Sequence, residues 1–236
     1  MPSDARVLRI KAVIPSTATT RIIQLDLAGT PFAFEAGQAA LVGPANTEAR
    51  VPYSIASAPL ESAATGHLEF LIKTELSGQW GQQFGAPMAG MRLGLQGPYG
   101  SFVFPQQTDA RHFLFIAGGT GIAPIRAMIQ EARLRGQQGQ MRLLYSAKTA
   151  DDFAYLPELD ELARSGLDLR LHVTRQVPDG RAPVAATGRI TAAQLAPIID
   201  DRQLCFVCGP ESMVADVPRM LVDLGVDKTK VRIEEW

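Results

Sequence analysis

Hydrophobic and polar residues alternate through much of the first hundred residues, in short runs separated by glycine, proline and other turn residues. In the run HLEFLIK, Leu68, Phe70 and Ile72 share one face of an extended chain, as in a half-buried antiparallel strand. Similar runs are ARVLRIKAVI, TRIIQLDL, QAALVG, PYSIAS and MRLGLQG. Six strands of this kind predict a small closed antiparallel β-barrel.

Beyond residue 112 the pattern changes to apolar strands that alternate with amphipathic helices. The predicted strands are FLFIAG, MRLLYSA, LDLRLHVT, QLCFVCG and VRIEE, and helices are predicted over 123–135, 156–164, 191–199 and 211–224. This alternation is typical of an α/β parallel-sheet domain with helices on both faces. The polar segment FPQQTDAR at 104–111 separates the two patterns. We therefore predict two domains, 1–106 and 107–236.

A glycine-rich turn joins the first strand of the second half to its helix, in FLFIAGGTGIAPIRAMIQEARLRG at 113–136. Gly118, Gly119 and Gly121 let backbone N–H groups approach an anion without an intervening Cβ, and the following helix N-terminus carries a positive dipole end. The turn therefore indicates a phosphate site. Its GGxG spacing is not the GxGxxG dinucleotide fingerprint, and a glycine-rich turn that binds nothing is the alternative.

Composition narrows the function classes. The chain has 236 residues, enough for two domains that each close a core. Its 23 basic and 24 acidic side chains nearly balance, and no basic run predicts binding to nucleic acid. We find no signal-peptide pattern and no apolar stretch of about 18 residues, so we expect no membrane segment and a cytoplasmic location.

The two cysteines, Cys205 and Cys208, have the CxxC spacing of some redox and metal sites. Because they fall on a predicted strand, their side chains point to opposite faces, and no further cysteine is near enough to complete a zinc or iron–sulfur site. We therefore expect any one-electron centre to lie on a partner protein. The three histidines are scattered singly, and we assign them no role.

Four blocks in order resemble the ferredoxin–NADP reductase superfamily of flavoenzymes over essentially the whole chain. They are VPYSIAS at 51–57, GPYGSF at 97–102, GGTGIAP at 118–124, and CGP at 208–210 with the C-terminal EEW at 234–236. The resemblance implies an FAD-binding antiparallel barrel followed by an NAD(P)-binding α/β domain, with the chemistry between them.

On the flavin side, the resemblance implies that Tyr53 lies against the isoalloxazine and that the Ser54 hydroxyl bonds its N5 edge. The family's phosphate-binding arginine stands two residues before the tyrosine, where this chain has Val51 and places Arg50 one residue earlier. A one-residue shift along a strand turns a side chain to the other face, so Arg50 reaches the flavin phosphate only through a bulge or turn.

Two further segments resemble the segments that contact the flavin in this family. One strand offers its backbone to the flavin edge, at Leu71, Ile72 and Lys73. In LSGQWGQQF a short helix would bind the flavin phosphates through backbone N–H groups, although a glycine stands where the family has a hydroxyl residue. The candidates there are Gly78, Gln79, Trp80 and Gly81, and simple packing is the favoured interpretation of the tryptophan.

On the nucleotide side, the resemblance implies that Gly119, Thr120 and Gly121 contact the diphosphate. Thr174 and Arg175 match the pair that binds the 2′-phosphate of NADP, for which a solvated strand-end arginine is the alternative. No acidic residue of the kind found in NADH-preferring relatives stands at 174–178, which favours NADPH over NADH.

Four residues are the predicted catalytic set: Ser54 at flavin N5, Cys208 beside the nicotinamide, Glu234 near the C-terminus, and Trp236 covering the flavin face. Gly209 and Pro210 complete the CGP block as cofactor contacts. Positioning of nicotinamide C4 against flavin N5 and exclusion of water are the main tasks of such a site.

The resemblance thus predicts a flavoprotein that transfers hydride from NADPH or NADH to FAD and single electrons to an acceptor protein, namely a ferredoxin, a flavodoxin or an oxygenase component. One alternative is a free flavin or quinone reductase that needs no protein partner. Another is a flavin-poor subunit or sensor that binds nucleotide and turns over little.

Overall fold

The computed structural model describes residues 6–75, 79–137, 139–175, 184–200 and 202–235. The chain divides into two compact units, Met1–Phe104 with Arg126–Gly136, and Pro105–Ile125 with Gln137–Trp236. The predicted division of function between 1–106 and 107–236 stays a prediction. The compact units themselves separate at Phe104, and 126–136 group with the first unit.

The first unit contains a six-stranded antiparallel sheet with the order β4-β3-β6-β1-β2-β5. Its strands are β1 Arg6–Pro15, β2 Thr20–Asp26, β3 Ala39–Pro44, β4 Val51–Ser54, β5 His67–Lys73 and β6 Arg92–Tyr99. The unit also holds the helices α1 Pro59–Thr65 and α2 Gln79–Phe84. The antiparallel, barrel-like sheet confirms the predicted fold class of this part.

The barrel is not closed. Among the described residues, the end strands β4 and β5 are joined by a single bridge between Ile55 and Phe70, followed by a 2.7 Å hydrogen bond from the Ala56 N–H to the Glu69 carbonyl. The prediction of closure was therefore wrong. β4 has only four residues, and the chain enters α1 at Pro59, so it leaves the sheet before a full ladder with β5 can form.

The core of the first sheet contains the residues that the alternation predicts. Leu68, Phe70 and Ile72 are each fully buried in one cluster that spans all of β1, β2, β3, β5 and β6. Glu69 and Leu71, on the opposite face of β5, are buried as well. This strand is therefore covered on both faces rather than half-buried.

The second unit contains a six-stranded parallel sheet with the order β10-β9-β8-β7-β11-β12. Its strands are β7 His112–Gly118, β8 Gln140–Ala147, β9 Asp168–Val173, β10 Val184–Thr187, β11 Leu204–Gly209 and β12 Val231–Glu235. Its longer helices are α4 Leu156–Arg164 and α6 Glu211–Asp223, and α5 Ala192–Leu195 is short. Helix α3, Ile122–Leu134, begins in this unit, and its residues from Arg126 onward group with the first unit. This arrangement confirms the predicted parallel-sheet class.

Among the described residues, the helix α1 and the strand β10 were not predicted, and one predicted helix differs. α1 and β10 have only seven and four residues, too few to show a clear hydrophobic period. The helix predicted over 191–199 is α5 followed by a 3₁₀ turn, Ala196–Ile198, which contains Pro197.

The two cysteines confirm the predicted alternation of β11. Cys205 packs in a core cluster with Val207 and with Val217 and Leu221 of α6, and Cys208 is buried outside that cluster. Both are free thiols, and no disulfide joins them in the described part of the chain.

Candidate functional site

Strand β7 ends in the glycine turn that leads directly into α3. Gly119–Gly121 form one turn of 3₁₀ helix, and α3 begins at Ile122. Gly119 has φ of 56°, a left-handed value suited to glycine, and it is exposed with open space where a Cβ would lie. The first N–H groups of this 13-residue helix and its dipole suit the turn to a phosphate.

Gly121 is required by a close backbone approach. A Cβ at this position would overlap the carbonyl oxygen of Cys208 at the end of β11. A Cβ on Gly209 would likewise lie 2.7 Å from the Met213 sulfur of α6. The glycines therefore let the turn after β7 pack directly against the end of β11.

Two of the predicted catalytic residues are register partners. In the parallel pairing of β11 with β12, Cys208 lies opposite Glu234, and in the pairing with β7 it lies opposite Ala117. Cys208 is fully buried and Glu234 is half-buried. Pro210 follows, exposed, just before α6. The carboxyl edge of the sheet thus gathers the glycine turn, the CGP segment and Glu234.

Thr174 and Arg175 extend the same edge from β9. Their N–H groups donate 2.9 Å hydrogen bonds to the carbonyls of Ala147 and Lys148, so the two residues continue the pairing with the end of β8. Both side chains are exposed. The Arg175 guanidinium is accessible to a phosphate there, and its role stays a prediction.

On the first unit, Tyr53 and Trp80 lie together. Their rings meet edge to face with centroids 6.1 Å apart, and Trp80 meets Phe84 in the same way at 5.0 Å. Tyr53 is half-buried, and burial raises its pKa to about 12, so its hydroxyl stays protonated. Ser54 points to the other side of β4 and is 7% exposed.

The remaining predicted flavin contacts are partly described. Leu71, Ile72 and Lys73 end β5, which is the last strand of its sheet, so one edge of their backbone faces away from β2. α2 begins at the exposed Gln79, with Gly81 buried. Gly78 and the C-terminal Trp236 lie outside the described residues, and their roles stay predictions.

Arg50 lies on the face of the sheet away from the core. One guanidinium nitrogen, Nη1, donates to the carbonyls of Pro44, Thr47 and Ala49 at 3.2, 2.7 and 2.8 Å. The guanidinium occupies the space above two paired glycines, Gly43 and Gly94, whose Cβ atoms would collide with this loop and with the guanidinium. These contacts use Nη1 alone, and the buried Nε has no partner among the described residues. The role of Arg50 at a flavin phosphate stays a prediction.

Comparison with known proteins identifies the family. The model of the oxidoreductase NAD-binding domain family matches residues 115–219. Ferredoxin–NADP reductase B of Sorangium cellulosum is 31% identical over 246 residues, which cover 100% of this chain and 98% of that protein. The chain belongs to the ferredoxin–NADP reductase superfamily.

Two other superfamily relatives extend the comparison. The reductase component of propane 2-monooxygenase from Rhodococcus jostii is 28% identical over 238 residues, covering 98% of this chain and 62% of that protein. This chain therefore spans about three fifths of that relative's length. The crystal structure of Amycolatopsis cytochrome P450 reductase GcoB superposes with a TM-score of 0.83 at 25% identity, over 98% of this chain and 70% of that one.

The two cofactors of the superfamily, FAD and NAD(P), can be tested against the side chains present. For the nucleotide, the exposed Gly119 has open space where a Cβ would lie, and the first N–H groups of α3 follow directly after the turn. For the flavin, Tyr53, Ser54 and the outer edge of β5 fit the ring system, and the buried Trp80 Nε1 has no partner among the described residues. At the predicted flavin diphosphate site, Val51 and Gly81 stand where the family has arginine and a hydroxyl residue.

A buried ion cluster in the first unit was missed by the sequence analysis. Arg126 of α3 donates to both carboxylate oxygens of Glu61 at 2.9 and 2.8 Å and to the Ala56 carbonyl at 2.8 Å. Burial acts to raise the pKa of Glu61, but the hydrogen bonds and charge of Arg126, together with the Ala58 N–H and His67, outweigh it, so the pKa is lowered. Ala56 belongs to the VPYSIAS block, so Arg126 supports the segment that carries Tyr53 and Ser54. The available signal was a lone arginine within the apolar run of α3.

No group of three or more His, Cys, Asp or Glu side chains able to hold a metal ion occurs in the described parts of the chain. Of the helices in those parts, none combines the length and the apolar character needed to cross a bilayer.

Proposed function

We propose that this chain is a flavoprotein oxidoreductase that transfers hydride from NADPH or NADH to FAD and passes single electrons to an acceptor protein. The observation that carries the proposal is the gathering of the glycine turn, Cys208 and Glu234 at one edge of the parallel sheet. Membership of the ferredoxin–NADP reductase superfamily supports it.

The second unit binds and orients the nucleotide in this proposal. Gly119, Thr120 and Gly121 hold the diphosphate through backbone N–H groups at the start of α3. Thr174 and Arg175 bind the 2′-phosphate when NADPH is used. Cys208 and Glu234, side by side across β11 and β12, border the nicotinamide and keep water from it.

The first unit binds the flavin. When bound, FAD supplies the conversion of a two-electron hydride donor into single electrons. Tyr53 would pack against the isoalloxazine, Ser54 would offer its hydroxyl to the flavin, and Leu71 to Lys73 would bind the ring edge through their backbone.

The acceptor is proposed to be a ferredoxin, a flavodoxin or an oxygenase component. The names of the relatives support this kind of partner, since they include a reductase component of propane 2-monooxygenase and a cytochrome P450 reductase. A cytoplasmic location stays a prediction.

An absorption spectrum of the purified protein tests the proposal. The protein is incubated with FAD, desalted, and mixed anaerobically with NADPH or with NADH. If the protein retains flavin and its absorption band at about 450 nm bleaches on mixing, the result supports the reductase function. The nucleotide that bleaches the band faster is the preferred hydride donor. Retained flavin that neither nucleotide bleaches would contradict the function.

A free flavin reductase is the second candidate, favoured by the position of Arg50. Its guanidinium lies above Gly43 and Gly94, on the face of the sheet away from the core, so the flavin diphosphate would have fewer side-chain partners, as expected where flavin is a dissociable substrate. Loss of flavin on desalting, with rapid NAD(P)H-dependent bleaching of added flavin, would favour this candidate. Loss of flavin without such bleaching would favour a flavin-poor nucleotide-binding subunit.

A further inference from the structure

Tyr145 of β8 contacts the glycine turn directly. Its ring is fully buried and meets Phe153 edge to face with centroids 5.0 Å apart. Its hydroxyl donates a 3.0 Å hydrogen bond to the Gly119 carbonyl and accepts a 3.2 Å hydrogen bond from the Ala154 N–H. The hydroxyl therefore joins the turn after β7 to the segment after β8.

The hydrogen bond fixes a peptide plane at the proposed diphosphate site. The Gly119 carbonyl also accepts from the Ile122 N–H, so its direction is set from two sides. In a planar trans peptide the C=O and the following N–H point in opposite directions. Holding the Gly119 carbonyl toward the buried Tyr145 hydroxyl therefore directs the Thr120 N–H away from the core.

Gly119 needs such support because it is a weakly restrained position. It is exposed, has a left-handed φ of 56°, and has open space where a Cβ would lie. Glycine has more accessible backbone conformations than other residues, so ordering it on binding costs conformational entropy. A fixed carbonyl removes that cost before the nucleotide arrives.

We propose that Tyr145 is a positioning residue that orients the Gly119–Thr120 peptide so that its N–H faces the diphosphate of NADPH or NADH. The inference rests on the proposed function and adds a residue to its nucleotide site. Burial raises the pKa of the Tyr145 hydroxyl, so it remains a donor throughout the physiological pH range.

Three variants separate this role from packing. Tyr145→Phe removes only the hydroxyl. Thr149→Val removes another hydroxyl hydrogen bond, the 2.8 Å bond to Asp152 in the following segment, without touching Gly119. Phe153→Leu weakens the ring packing and keeps the Tyr145 hydroxyl. Kd values for NADP⁺ and NAD⁺ are measured by calorimetry, together with Tm, FAD affinity, and KM and kcat for both reduced nucleotides.

We expect Tyr145→Phe alone to raise the Kd for both nucleotides by about tenfold, the effect of one lost hydrogen bond with its partners left unpaired. KM should rise in proportion, with kcat and FAD affinity nearly unchanged. An unchanged Kd in Tyr145→Phe, or Kd values that follow Tm across the three variants, would overturn the proposal. Absence of nucleotide binding by the wild type would instead contradict the proposed function.

Solution NMR of the wild-type protein gives a second test of the Tyr145 proposal. In solution NMR, the Tyr145 hydroxyl proton should exchange slowly with water in the absence of nucleotide, because the bond is already formed. The Thr120 amide should be among the signals most shifted by NADP⁺. A Thr120 amide that NADP⁺ leaves unshifted while other signals respond would also overturn the proposal.

Discussion

Removal of the Arg126 guanidinium tests the buried ion cluster that supports the VPYSIAS segment. Arg126 is 5% exposed, and it is the donor in three short hydrogen bonds to Glu61 and Ala56. Arg126→Met keeps most of the apolar stem and leaves Glu61 without its counter-ion. It also removes a cation from the surroundings of Glu69, because Arg126 Nη1 lies 3.8 Å from Glu69 Oε1.

The expected loss follows from burial. Removing one partner of a buried ion pair costs about 3–5 kcal/mol, because the other charge stays buried and uncompensated. The Glu61 side chain is 24% exposed, so water recovers part of this, and Glu69 keeps a 3.1 Å hydrogen bond from Gln24. We therefore expect Arg126→Met to lower the free energy of unfolding by about 3 kcal/mol at pH 7.

The pH dependence has a definite sign. The folded pKa of Glu61 lies below its ordinary value of 4.5. A lowered carboxyl pKa contributes stability that is present above the unfolded pKa and is lost as pH falls through the folded pKa. The stability difference between the wild type and Arg126→Met should therefore shrink as the pH falls below this ordinary value.

Urea unfolding at a series of pH values measures both effects. Arg133→Met is the matched control, since Arg133 lies exposed on the same helix, and we expect it to change stability by less than about 0.5 kcal/mol. A loss below about 1 kcal/mol for Arg126→Met, or a loss that does not diminish in acid, would refute the reasoning that the buried pair stabilises the unit.

Three further predictions concern single side chains. Ser54→Ala should slow flavin reduction several-fold and leave the nucleotide Kd unchanged, and an unchanged rate would remove Ser54 from the site. Arg175→Ala should raise the KM for NADPH by about tenfold or more and leave that for NADH unchanged; equal effects on both would exclude 2′-phosphate recognition. Burial raises the pKa of the Cys205 thiol to about 12, so iodoacetamide at pH 8 should alkylate Cys205 only after the protein unfolds. The labelled cysteine is located by peptide mass, and rapid labelling of Cys205 in the native protein would contradict this prediction.

The hydrophobic period could predict the longer elements of the second sheet and its helices, because each of them shows its own period, whereas the four-residue β10 does not. α3 was predicted at 123–135 and runs Ile122–Leu134, and α4 was predicted within its observed bounds. The closure of the barrel could not be predicted in this way. It depends on how many residues of β4 remain paired before Pro59 begins α1, and the alternation of PYSIAS contains no information about that length.

The glycine turn and the CGP block could be predicted as separate motifs, but their contact could not. Gly121 and Cys208 are far apart in sequence, and only the pairing of β7 with β11 brings them together. The role of Tyr145 was hidden for a related reason. In MRLLYSA it reads as one more apolar strand residue, because its hydroxyl partners lie in two other segments.

Arg50 shows where a local rule and the tertiary structure agree. The period of a strand predicts that an arginine one residue out of place turns to the opposite face, and the observed guanidinium lies on the face away from the core. Gly43 and Gly94 are paired there and leave the space that it occupies, so the arginine and the two glycines depend on one another.

Val51, at the family's arginine position, is 3% exposed and pairs with Val42 of the core, where an unpaired charge would be costly to bury. Moving the arginine back to position 51 would therefore leave a space above the glycines and place a charge beside Val42. The departure from the family's arginine position thus involves this whole part of the sheet, rather than one substituted residue.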